Sequence, residues 1–196
     1  MSVPNRDIEH LAKLRRYYAE TRRIPSLARI GDLMGFSTPA AKKFIERLAG
    51  EGYVTRTPDD DAWVPSQRFF ERPLVEAAVQ AGNPVAVDAV PAEPFLIDEY
   101  VVRDPVQTVL IPVKGDSMAD AGINEGDLAV VERTPDAKDG DFVVAIVDND
   151  YTLKELATER GQKVLKPHNS AYPVIRPKGK LEIFGVLVGL IRRYRH

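Results

Sequence analysis

Cysteine is absent from this chain of 196 residues. Its absence excludes disulfides, thiolate nucleophiles and every metal site built on sulfur, and it suits a reducing compartment. Histidine is scarce: the three present, at 10, 168 and 196, fall in a helical segment, a loop and the last position, so no convincing Ser-His-Asp set can be assembled. No His-Glu-x-x-His spacing and no Gly-rich phosphate loop occurs either, so neither a metal nor a cofactor is expected. Long apolar runs are also missing. Phe142 to Val147 and Gly185 to Ile191 fall well below the ~20 residues that a membrane helix needs, and the N-terminus lacks a charged segment leading into an apolar stretch. The expectation is a soluble, cytoplasmic protein with no membrane partner.

What is present divides by charge. The whole chain carries a formal charge of -2, yet residues 6 to 56 hold 11 Lys and Arg against 6 Asp and Glu, a balance of +5. A basic head on an acidic body suits phosphate binding, although many solvated helical faces carry as much charge.

Apolar spacing in the head predicts three helices. Leu11, Leu14 and Tyr18 mark the first, which ends between Thr21 and Pro25. The second follows Ser26 as N-cap, carries Leu27, Ile30, Leu33 and Met34, and stops at Gly35. The third has Thr38 as N-cap, Pro39 in its first turn and Ala41, Phe44, Ile45 and Leu48 on one face, and it closes at Gly50 and Gly52. Only Gly35-Phe36-Ser37 separates the second from the third, which suits a helix-turn-helix. Tyr53 to Arg56 and Ala62 to Val64, joined through Pro58-Asp59-Asp60-Asp61, predict a hairpin and complete a winged helix-turn-helix over residues 1–66. The same ingredients also make a small helical bundle with an incidental hairpin.

Residues 67–100 are rich in proline and poor in periodicity and are read as a linker. From 101 to 196, short β-type runs alternate with turns: Thr108 to Val113, Leu128 to Glu132, Phe142 to Val147, Tyr151 to Leu156, Lys163 to Lys166 and Ile183 to Ile191, with Asp148-Asn149-Asp150 as a tight turn. The fold class is therefore two-domain α+β, with a mostly-β C-terminal domain.

With histidine and cysteine set aside, serine and lysine remain as candidate chemistry. Ser117 follows a strand in Val113-Lys114-Gly115-Asp116-Ser117-Met118, where the glycine permits a sharp turn that lifts a hydroxyl out of a sheet. Lys154 lies on the strand after the hairpin turn, on the side opposite Leu153; alternation does not settle whether that side is inward. Taken singly, each is also an ordinary turn serine and a solvated lysine.

Several segments in order carry a more specific signal: Ala81-Gly82, Gly115-Asp116-Ser117-Met118, Gly122-Ile123-x-x-Gly126-Asp127, the strand bearing Lys154, and Pro167-x-Asn169-Ser170. Through them the chain resembles the LexA and UmuD family of self-cleaving serine-lysine peptidases, and its helix-turn-helix brings it nearer to the repressor branch. The resemblance implies that Ser117 is the nucleophile, Lys154 the general base, and Ala81-Gly82 the bond that is cut. A solvated lysine, with a pKa of about 10.4, is neutral about once in several thousand molecules at pH 7, so such a base must be desolvated; Val144, Ile146 and Leu153 are candidate apolar neighbours. The backbone amides of Asp116 and Ser117 are the candidate oxyanion donors, while the Asp116 and Asp127 side chains are read as turn and strand-start residues. A substrate within the same chain gains an effective concentration of about 10⁵ M or more.

The resemblance also implies double-stranded operator DNA as partner, a homodimer formed through the C-terminal domain, and a RecA filament on single-stranded DNA as the trigger that releases the DNA-damage (SOS) genes. The apolar strand Ile183 to Ile191 is the candidate dimer edge. Candidate DNA contacts are Ser37, Thr38, Ala40, Lys42, Lys43 and Arg47, and the acidic tip at Asp59 to Asp61 is expected to keep the wing off phosphate. Two alternatives within the family are a phage or mobile-element repressor and a UmuD-like accessory to a polymerase.

Overall fold

A computed structural model of the chain describes residues 5–75, 92–147, 149–177 and 179–194. The chain divides near Ile97 into two compact units.

The first unit opens with α1 (Asn5–Thr21), α2 (Leu27–Met34) and α3 (Thr38–Gly50). Ser26 caps α2 by accepting from the Arg29 amide at 3.3 Å, and Gly35 ends it in the left-handed region at φ 73. The turn between α2 and α3 closes through the Phe36 amide donating to the Gly31 carbonyl at 2.9 Å. A side chain at Gly31 would put its Cβ 2.8 Å from the Phe36 carbonyl oxygen, so the close approach needs glycine there. The N-cap of α3 is Ser37 rather than Thr38: Thr38 is the first helical residue, and Pro39 sits in the first turn, where a missing N–H costs nothing. Strands β1 (Val54–Arg56) and β2 (Trp63–Pro65) pair antiparallel with Arg56 opposite Trp63 and form the wing. The Arg56 guanidinium lies 4.3 Å from the Trp63 ring centroid.

The core of this unit is Leu11, Leu14, Ile30, Met34, Ala41, Phe44, Ile45, Leu48 and Val54, joined by Phe69. Phe69 corrects the boundary read at residue 66. It sits on a 3-10 turn (Gln67–Phe70), is 2% exposed, and its carbonyl accepts from Arg15 Nε at 2.7 Å. The supposed linker is structured further on: β3 (Arg72–Val75) pairs antiparallel with β4 (Ala92–Phe95), and a short helix α4 (Ile97–Val101) follows. Proline-rich, unperiodic sequence hides such a ladder, because its two strands belong to segments far apart in the chain.

The second unit is a six-stranded antiparallel sheet. Its strands are β5 (Thr108–Pro112), β6 (Leu128–Glu132), β7 (Phe142–Val147), β8 (Asp150–Glu159), β9 (Gln162–Lys166) and β10 (Leu181–Ile191), in the spatial order β5-β6-β10-β7-β8-β9. Arg160 and Gly161, both with positive φ, make the two-residue turn between β8 and β9. Alternation along β7 sends Val143 and Ala145 into one apolar cluster and Val144 into another, so both faces of the sheet are covered.

β10 is the last strand in sequence, yet in the sheet it lies between β6 and β7. It pairs with β7 through Leu181–Val186 and with β6 through Val186–Ile191, so among the described residues each half of the strand, Leu181–Gly185 and Leu187–Ile191, has one side without a strand partner. The hand-over occurs at Gly185, where an added Cβ would lie 2.4 Å from the Glu132 carbonyl oxygen.

Candidate active site

The Ser117 turn is built between the ends of β5 and β6. The Val113 amide donates to the Asp127 carbonyl at 2.8 Å and the Gly126 amide returns to the Val113 carbonyl at 3.0 Å, which closes the loop at its base. Within it Gly115 takes φ 82, a conformation that a side chain opposes. Met118 and Ile123 are buried beneath the turn and anchor it to the sheet. Ser117 is left half-buried at the mouth of a cleft of about 230 Å³, walled by Ile111, Val113, Ala129, Val144 and Leu153.

Lys154 reaches the same cleft from β8, where it stands in register with Val143. Lys154 Nζ and Ser117 Oγ are hydrogen-bonded at 2.7 Å. The amine also donates to the Leu153 carbonyl at 2.8 Å and to Thr152 Oγ1 at 3.1 Å. Two N–H groups and one lone pair match two acceptors and one hydroxyl donor, so these contacts satisfy a neutral amine fully. Lys154 is 6% exposed, and burial lowers its pKa below the ordinary lysine value. A buried amine in contact with a hydroxyl can take the hydroxyl proton and leave an oxygen nucleophile beside apolar walls.

The segment after β9 closes the site from behind. Asn169 Nδ2 donates to the Asp116 carbonyl at 3.0 Å, the His168 amide donates to the Ser117 carbonyl at 2.9 Å, and the Tyr172 hydroxyl donates to Asp116 Oδ1. His168 is itself held by a hydrogen bond between its Nε2 and the Glu155 carboxyl and by an edge-on contact with the Phe142 ring. The amides of Asp116 and Ser117 make no backbone hydrogen bond among the described residues. The Asp116 side chain is thus a tether for the turn. Asp127 is buried and ion-paired with Arg192, a contact that sequence spacing did not reveal.

The other singled-out residues lie elsewhere. Ala81 and Gly82 fall outside the described residues, as does Asp148 of the predicted turn. Ser37, Thr38, Lys42 and Lys43 are exposed at the start of α3, with Ala40 half-buried among them. Lys42 lies 3.8 Å from Glu46. Arg47 is turned back onto α1, where its Nε and Nη2 donate to both Asp7 oxygens at 2.8 and 2.9 Å. Among the described residues no group of three His, Cys, Asp or Glu is placed to hold a metal ion, and no helix is long and apolar enough to cross a membrane.

Comparison with known proteins gives this arrangement a class. The Peptidase S24-like family matches residues 73–188, more than half of the chain, which makes the second unit a serine peptidase domain. The LexA repressor of Opitutus terrae is 41% identical over 177 residues, covering 86% of this chain and 87% of its own. LexA repressor 2 of Pseudomonas putida is 37% identical over 188 residues, with 92% and 93% covered, and the LexA repressor of Clostridium botulinum (strain Langeland) is 32% identical over 178, with 87% of each covered. The chain belongs to the LexA repressor family.

Proposed function

We propose that this LexA-type repressor silences DNA-damage (SOS) genes in the cytoplasm and inactivates itself by cutting Ala81-Gly82, with Ser117 as nucleophile and Lys154 as general base. The observation that carries the reading is the 2.7 Å contact between Ser117 Oγ and a buried amine whose charged form burial disfavours. Neutral Lys154 takes the Ser117 proton as Oγ bonds to the Ala81 carbonyl carbon, and the Asp116 and Ser117 amides hold the oxygen that becomes negative. The bond to Gly82 then breaks as Lys154 returns the proton to the leaving amine. Water releases the Ala81 carboxylate from the ester and restores the Ser117 hydroxyl.

Repression is lost because the two heads of a dimer hold an operator together only while each is joined to its C-terminal domain. Pairing raises the affinity of a small head by effective concentration, and the cut removes that gain. The half of β10 from Leu187 to Ile191, which among the described residues has a strand on one side only, is the segment suited to pairing with a second copy. On the head, Ser37, Thr38 and Lys43 at the exposed start of α3 face operator DNA, Ala40 lies between them, and Lys42 serves phosphate.

The test adds RecA, single-stranded DNA and a nucleoside triphosphate to the intact chain bound to genomic fragments. Cleavage after Ala81 together with release of the fragments is the expected result; an intact chain, or a cut chain that still holds its fragments as before, contradicts the reading.

A further inference from the structure

The peptide groups on either side of Ser117 are both held by one short segment, His168 to Tyr172. Asn169 Nδ2 donates to the Asp116 carbonyl at 3.0 Å and, at 3.3 Å, to Asp116 Oδ2. The Asn169 side chain is itself oriented, because its Oδ1 accepts from the Ala171 amide at 3.0 Å. The His168 amide holds the Ser117 carbonyl at 2.9 Å, and the Asp120 amide returns a bond to the His168 carbonyl at 2.8 Å. The peptide bonds are trans, and in a trans peptide the C=O and the N–H of the next residue point to opposite sides. A donor that fixes the Asp116 carbonyl therefore fixes the Ser117 N–H, aiming it away from Asn169. A hydrogen bond to the carbonyl also polarises the peptide and strengthens its N–H as a donor.

We infer that Asn169 is a positioning residue for self-cleavage: by holding the Asp116 carbonyl, it orients and sharpens the Ser117 N–H as oxyanion donor. The inference rests on the reading of Ser117 as nucleophile. The competing explanation is a plain tether of the turn, and Tyr172 separates the two. Its hydroxyl holds the Asp116 carboxylate and leaves the carbonyl alone. That contact lasts into the alkaline range, because Asp116 raises the Tyr172 hydroxyl above its ordinary value.

The experiment follows self-cleavage of the full chain by mass spectrometry from about pH 7 to about pH 11, in the wild type and in Asn169→Ala, Asn169→Asp, Tyr172→Phe and Ser117→Ala. Asn169→Asp keeps the side-chain volume and the acceptor for Ala171 while losing the donor, so it serves if Asn169→Ala melts below the assay temperature. Both Asn169 variants should lose roughly 10- to 100-fold in plateau rate; in Asn169→Ala, which adds no charge, the pH midpoint should stay unmoved, since that midpoint belongs to Lys154. Tyr172→Phe should stay within about threefold of wild type, as expected for a contact that leaves the oxyanion donors in place. The inference is overturned if the Asn169 variants cleave at the wild-type plateau, if Tyr172→Phe loses as much as they do, if the midpoint of Asn169→Ala moves with its plateau, or if both Asn169 variants are unfolded. A Ser117→Ala chain that still cleaves itself sinks the nucleophile reading instead; an inert Ser117→Ala beside an unimpaired Asn169→Ala sinks this inference alone.

Discussion

Asp127 and Arg192 stand 65 residues apart and meet through two hydrogen bonds of 2.6 and 2.7 Å. Asp127 is 2% exposed, and it also accepts from the Asn124 amide, while Arg192 reaches on to the Gly122 carbonyl. The pair ties the chain just after β10 to the loop that carries Ser117. Arg192→Ala leaves the buried carboxylate without its cation. It should lower the thermal midpoint of the second unit by roughly 5 °C or more at neutral pH, the scale expected when one partner of a buried pair is removed. The Arg192 hydrogen bond holds the Asp127 carboxyl below its ordinary value, so the stabilisation is present above the usual aspartate range and fades as pH falls through the lowered value. Variant and wild type should therefore converge in strong acid; a gap that persists there contradicts the assignment.

Lys154 destabilises the fold at neutral pH where Asp127 stabilises it. Burial lowers its pKa, so between the folded value and the ordinary value near 10.4 the unfolded chain binds more protons, and stability rises with pH across that window. Lys154→Met should raise stability at neutral pH by about 1.4 kcal/mol for each factor of ten in the protonation equilibrium, and the thermal midpoint should rise with it. The gain should shrink as the solution becomes alkaline. Both chains carry Ser117→Ala so that neither is cut during the scan. No gain at neutral pH, or a gain that grows with pH, contradicts the burial argument.

In the head, Lys43 and Arg47 should separate. Lys43 is exposed, and Lys43→Ala should weaken operator binding across sequences and lower the salt slope by about one. Arg47 is half exposed but engaged at both oxygens of Asp7, which is 6% exposed. Arg47→Ala should therefore destabilise the head by about 1–2 kcal/mol, after allowance for solvent screening. Titrations of DNA binding against salt, with thermal scans of the same proteins, check both; equal loss of binding with no loss of stability in Arg47→Ala assigns that guanidinium to DNA instead.

How much of this is legible in the sequence depends on the range over which each residue acts. Helical periods, the Ser26 and Gly35 caps and the strand runs are local, and the elements fall within a few residues of where the pattern puts them. Strand order is not local: β10 reads as an end strand because it comes last, and only its two half-registers with β7 and β6 show that it lies inside the sheet. Phe69 joins the first core from beyond the expected boundary because Arg15, on another element, holds its carbonyl. Alternation left the direction of Lys154 open, and the fold turns it onto Ser117. Asn169 belonged to a recognisable motif without a role, since the carbonyl it holds is 53 residues earlier.

The central claim is that Ser117 and Lys154 cut their own chain, and incubating the intact protein near pH 10, where neutral lysine is populated, tests it most directly. Mass spectrometry should find two fragments that part between Ala81 and Gly82, faster at pH 10 than at pH 7, with Ser117→Ala and Lys154→Ala remaining whole. An intact wild-type chain after long exposure, a cut at another bond, or scission that survives Ser117→Ala would contradict it.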